Sequence, residues 1–226
     1  MSPPANAAAP KVAAPEPRRM PAASASASGP APTRIFVVPP RPVARPTTRP
    51  APQADELVAT KAEGCRYLSF VGHKLSDLDL TGWQVAESDM RKSLWERICF
   101  QDAKFCNVDF TNAQWVAAKA GGATFENLRA RDWQGQKAEL AYAVFSGICD
   151  LTNANLGGAD LSWATLKGVC LRGSNLAGCT LAGANLAGAD LEGADLTDVD
   201  LSGTCLTNTK VGGARGIVVT NRNYFN

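Results

Sequence analysis

Leucine returns at every fifth position through the C-terminal third of this chain. In ANLAGADLEGADL, Leu186, Leu191 and Leu196 each follow an Asn or Asp and have Ala two residues before them. An α-helix advances about 100° per residue, so steps of five scatter the leucines around the axis and leave no single buried face. A flat strand sends residues five apart to opposite sides. Within one unit, however, Ala184 and Leu186 are two apart and share one face of an extended segment. The period closes if the chain turns a corner after every unit and each Leu again points at a common axis. Such a chain is a solenoid.

Thirteen centres run without a slip from Leu151 to Val211. The residue two before each is small, from Cys149 and Ala154 through Ala189 and Ala194 to Thr209, as a narrow interior requires. Two after the centre, glycine dominates, as at Gly158, Gly168, Gly188 and Gly193, where a corner asks for positive φ. Asn or Asp before the centre, as at Asn155, Asp160 and Asp195, can accept hydrogen bonds from turn backbone. Upstream the same period falls on multiples of five, from Phe70 to Trp115 and then Phe125, Leu140 and Phe145. A one-residue insertion between Phe145 and Leu151 therefore separates two blocks. With Ala120, Ala130 and Gly135 at centres, residues 116–137 match poorly, and a bulge or protruding loop is expected there.

ANLAG, ADLEG and ADLTD resemble the A(D/N)LXX pattern of the pentapeptide-repeat family. The resemblance spans residues 68–213 and implies an all-β fold, a right-handed quadrilateral β-helix with four pentapeptides per coil. About 29 units then give about seven coils, or roughly 35 Å of rod at about 4.8 Å per coil. Both ends need covering. Residues 54–67 are expected to cap the first coil, with Asp55 as helix N-cap over Asp55–Ala62. Residues 214–226, with Ile217, Val218, Val219, Tyr224 and Phe225, either cap the last coil or form the homodimer contact some family members use there.

All 14 prolines lie within residues 1–52, among 13 alanines, so residues 1–53 are expected to be a disordered N-terminal tail. To residue 50 the chain has seven Lys/Arg and one acid, +6, leaving 16 basic and 20 acidic residues, −4. The only apolar run in the tail is Ile35–Val38, a docking motif or a stray patch. No stretch has the length and hydropathy of a membrane span or a secretory signal core. Seven cysteines, odd in number and without a CxxC pair, fit reduced thiols used as small hydrophobes in a cytoplasmic setting.

Neither catalysis nor a cofactor is expected. His73 is the only histidine, no phosphate loop occurs, and no metal-ligand spacing is present, so no catalytic, metal or small-molecule site is assigned. The expectation is a non-enzymatic solenoid that binds a protein partner. Its candidate surface is acidic: Asp160, Asp190, Glu192, Asp195, Asp198 and Asp200, with Lys167 and Arg172 interrupting it. Two alternatives follow from the resemblance. One is DNA mimicry against DNA gyrase, as in the quinolone-resistance branch of the family; the other is a secreted bacterial effector whose N-terminal region serves export.

Overall fold

The computed structural model describes residues 64–217. The chain divides into two units, Met1–Val43 and Ala44–Asn226, and every described residue belongs to the second. The tail over 1–53, the Asp55–Ala62 cap, and Val218, Val219, Tyr224 and Phe225 lie outside the described residues.

The described residues form a right-handed four-sided β-helix with no helix among them. Eight short strands carry its first half: β1 (Cys65–Arg66), β2 (Lys74–Ser76), β3 (Gln84–Ala86), β4 (Leu94–Glu96), β5 (Lys104–Cys106), β6 (Gln114–Val116), β7 (Thr124–Glu126) and β8 (Val144–Ser146). Odd and even strands segregate, β1-β3-β5-β7-β8 in one parallel sheet and β2-β4-β6 in another. Pairing is twenty residues on, Val85 with Phe105 and Trp95 with Trp115. Face I contains the first sheet and its continuation through Thr165, Asn185 and Cys205. Face III continues the second through Gln134, Asn155, Asn175, Asp195 and Arg215. Single-residue pairings build the others. Face II runs from Ser69 and Asp89 to Asp190 and Lys210, and face IV from Asp79 and Cys99 to Asp160, Thr180 and Asp200.

The corners follow from the same spacing. Every fifth residue from Tyr67 to Gly147, and again from Asn153 to Gly213, has positive φ. From Leu151 to Val211 the centre's carbonyl accepts the N–H three residues on, as in Ala154 N–H to Leu151 O at 3.0 Å. A left-handed third residue under that bond is the signature of a type II turn, which favours glycine. The inserted residue lies at Gly147–Ile148, where the corner step is six. Pairs spanning it, such as Arg129 with Asp150 and Glu139 with Asp160, are 21 apart. The Ile148 N–H is taken up by Asn127 Oδ1 of the coil before, at 3.0 Å.

The interior is one continuous apolar column. Upstream it is aromatic: Phe105 and Phe125 stack at 5.2 Å, and Phe125 and Phe145 at 4.7 Å. Beyond Phe145 the column continues in Leu166, Leu186 and Leu206, all buried.

Two boundaries are corrected. The coil begins at Cys65, which pairs with Val85, so residues 65–67 belong to the repeat and not to a cap. It continues through Arg215, which pairs with Asp195, while Ile217 packs half-buried against the core. Residues 116–137 form no bulge. β7 lies within them, and Lys119, Arg129 and Gln134 keep their register with both neighbouring coils. The physical reason is a volume exchange. Ala130 and Gly135 leave their centres nearly empty, and Trp133, two residues before the Gly135 centre, is buried in the space and meets Trp115 edge-on at 4.8 Å.

Candidate functional site

Each unit projects outward the residues on either side of its centre, plus the corner residue. Stacking sorts these into columns, and the four faces have different chemistry. Face II is an ion-pair ladder: Arg91 with Asp89 at 2.6 Å, Arg131 with Asp150 at 2.6 Å, and Arg172 with Asp190 at 3.2 Å. Face III is an amide ladder, in which Asn175 Nδ2 donates to Asn155 Oδ1 at 3.1 Å. Face I carries Gln84, Lys104, Thr124, Val144 and Thr165 in one column. Face IV is the acidic one, its column holding Asp79, Glu139, Asp160 and Asp200 against Lys119.

The six acidic residues singled out from sequence fall on three faces. Asp160 and Asp200 share face IV with Thr180 between them, as twenty-residue stacking requires. Asp195 lies on face III, and Asp198 is the positive-φ corner between Asp195 and Asp200. These four wrap one edge of the coil. Asp190 is on face II with Glu192 beside it. Arg172 pairs with both, and Lys210 stands 3.9 Å from Asp190. That pair is neutralised and separated from the other four.

The carboxylates also hold turns. Oδ1 of Asp160, Asp195 and Asp200 each accepts the N–H two residues on, at 2.9, 3.0 and 2.9 Å. Hydrogen bonds from the Thr197 hydroxyl and N–H hold Asp195 below the usual carboxylate range, and Ser202 does the same for Asp200. At Asp150 burial pushes the other way, but the bonds from Thr152 and Arg131 prevail and its pKa is lowered too.

No proton-transfer constellation appears among the described residues. His73 is exposed, its Nδ1 3.1 Å from Val71 O. A shallow depression of about 380 Å³ on face I is lined by Arg66, Gln84, Lys104, Cys106, Thr124 and Glu126. Burial, then the Glu126 carboxylate, pushes the Cys106 thiol up, the reverse of what a nucleophilic thiolate needs. Cys65, Cys149 and Cys179 are the small interior residues the sequence suggested, whereas Cys99, Cys106, Cys170 and Cys205 are not buried. The described residues contain no His/Cys/Asp/Glu group arranged to hold a metal, and no helix long and apolar enough to cross a membrane.

Sequence reasoning missed one feature. The corner column between faces IV and I reads Gly82, Asp102, Gly122, Tyr142, Trp163, Gly183, Gly203, all at positive φ. Tyr142 and Trp163 sit there on consecutive coils and are 63% and 61% exposed. Val144 on face I and Ile148, 75% exposed at the inserted corner, extend the same apolar region. The available signal was a bulky residue at a glycine position.

A family model described as pentapeptide repeats, present in eight copies, matches residues 149–181 and 174–213. No curated protein matches significantly. Several solved structures are similar. QnrB1 (full length), described as a plasmid-mediated fluoroquinolone resistance protein, is 17% identical over 67% of this chain and 93% of its own, with a TM-score of 0.39. HetL, involved in heterocyst differentiation regulation in the cyanobacterium Nostoc sp. strain PCC 7120, is 23% identical over 71% and 91%, with a TM-score of 0.31. A pentapeptide repeat protein from the Arabidopsis thaliana thylakoid lumen is 26% identical over 58% and 66%, with a TM-score of 0.22.

Proposed function

This chain is a pentapeptide-repeat protein, and we propose that it is a non-enzymatic scaffold that binds a protein partner through side chains displayed on rigid, chemically distinct faces. The observation carrying this reading is the sorting itself. Backbone N–H and C=O groups are consumed in coil-to-coil pairing, so what the described surface offers a partner is columns of side chains about 4.8 Å apart. An ion-paired face, an amide face and an acidic face are surfaces for recognition, and in the depression on face I the Cys106 thiol is pushed toward its protonated form. The test is a photo-crosslinking residue at one outward position per face in the full chain: Thr124, Thr152, Gln136 and Ala182. A face-selective adduct, lost when neighbouring residues of that face are changed, supports the reading. Absence of any adduct from all four faces refutes it.

A second reading, DNA mimicry against DNA gyrase, is favoured by one observation: Asp160, Asp195, Asp198 and Asp200 wrap one edge. Supercoiling by gyrase is titrated with the full chain and with the quadruple Asp→Asn variant. Inhibition by the parent alone, weakening with added salt, supports it; no inhibition at micromolar concentration ends it. The alternative of an exported effector predicts export that depends on residues 1–53.

A further inference from the structure

We propose that the Tyr142–Trp163 corner is the hot spot of this scaffold and receives an arginine presented by a protein partner; this rests on the protein-binding reading above. Both aromatics occupy backbone that disfavours them. Tyr142 has φ 60° and Trp163 φ 59°, a conformation disfavoured for a bulky L-residue and open to glycine. Four other positions in the same column are glycine. The strain brings no burial in return, since both rings stay mostly exposed. Strain kept at an exposed aromatic points to function.

The Trp163 ring is also held in place. A Cβ on Gly183 would stand 2.6 Å from the Trp163 indole, so the indole lies in the notch which that glycine leaves in the next coil. A ring seated in this way presents a fixed surface and loses little freedom on binding.

The chemistry of the occupant follows from what flanks the rings. Asp160 lies three residues before Trp163 and Glu139 three before Tyr142, and the two carboxylate positions pair directly across coils. Asp160 Oδ1 is taken by Ser162 N–H and hydroxyl, at 2.9 and 2.6 Å. Its Oδ2 has no partner among the described residues. Glu139 is already paired with Lys119 at 3.4 Å, which leaves Asp160 as the open carboxylate three residues before Trp163. An aromatic face beside a carboxylate on a net-acidic surface attracts a cation and repels phosphate. Guanidinium suits it better than ammonium, because its plane stacks on a ring while its donors reach a carboxylate. Trp, Tyr and Arg are also the residues that dominate interface energetics.

The test uses the full chain and the peptide acetyl-(Arg-Pro)3-amide, with a second peptide carrying citrulline, neutral and nearly isosteric, in place of each arginine. The other four tryptophans, Trp83, Trp95, Trp115 and Trp133, are buried, so acrylamide quenching of tryptophan fluorescence reads Trp163. The arginine peptide is expected to lower the quenching slope at least twofold at millimolar concentration, and the citrulline peptide to fail at tenfold more. Asp160→Asn keeps the Oδ1 acceptor for the turn and should weaken the apparent affinity about fivefold. Asp190→Asn, on another face, should change nothing. Equal protection by the citrulline peptide, or an unchanged Asp160→Asn variant, overturns the proposal. Face-selective crosslinking elsewhere with no peptide protection of Trp163 overturns it too, and leaves the scaffold reading standing.

Discussion

Replacing Gly135 with Leu would restore the repeat's preferred residue at its centre, and it should destabilise the protein. A Cβ on Gly135 would stand 3.0 Å from Leu156 Cδ2 and 3.3 Å from Trp133 Cε2, so the space a leucine needs already holds an indole. Overpacking of this kind costs about 1–3 kcal/mol. Trp133→Ala alone should cost about 3 kcal/mol, the low end for a large core truncation. The low end applies because the Trp133 indole N–H is buried with no partner among the described residues, an unfavourable feature the truncation removes. Were the two changes independent, together they would cost about 4–6 kcal/mol; the double variant should cost only about 2, because the leucine enters the volume the indole vacates. The coupling is then about 2 kcal/mol or more in favour of the pair. Urea unfolding followed by far-UV circular dichroism measures all four corners of the cycle, provided each variant shows a single transition. A neutral or stabilising Gly135→Leu, or a coupling within about 0.5 kcal/mol of zero, would refute the volume exchange.

Leu191→Ala empties a fully buried centre and should cost about 2–5 kcal/mol; a loss below about 0.5 kcal/mol in the same assay would break the register. Ala117, at φ 51°, should accept glycine with a gain of about 0.5–1 kcal/mol, since strain relief exceeds the added chain entropy, and a lower urea midpoint would contradict this. Burial pushes the Cys179 thiol up to about 11 and Cys149 upward as well. Both therefore stay protonated when folded, while the unfolded chain releases those protons first. Their stabilising effect is complete below about pH 8.5 and lost as pH rises toward 11, about 2–3 kcal/mol for Cys179. Cys179→Ala should flatten that alkaline decline, and an unchanged slope would count against it.

The five-residue period was enough to exclude a simple helix and a flat strand, to assign the inward centres, and to locate the insertion that the 21-residue pairs around Ile148 display. It worked because each unit is a local object: one inward pair and one turn, each answering to the geometry of a few consecutive residues. Four pentapeptides per coil, which the family resemblance implies, also puts Asp160 and Asp200, forty residues apart, on one face. What failed was whatever depended on neighbours outside the unit. Residues 116–137 looked irregular because Ala130 and Gly135 were judged one position at a time, whereas the interior responds to total volume and lets Trp133 supply what they lack. Asp190 and Glu192 looked like part of one acidic surface until Arg172, from the coil before, was seen to reach both. The period gives Tyr142 and Trp163 no role beyond that of corner residues. Only the coil-on-coil arrangement, which puts them on consecutive coils of one corner, opens the Gly183 notch against the indole and pairs the Glu139 and Asp160 positions on the adjoining face, makes them a surface. Sequence determined the repeat because period and turn chemistry are local; tertiary structure decided packing, charge pairing and the aromatic corner because each joins residues about twenty apart.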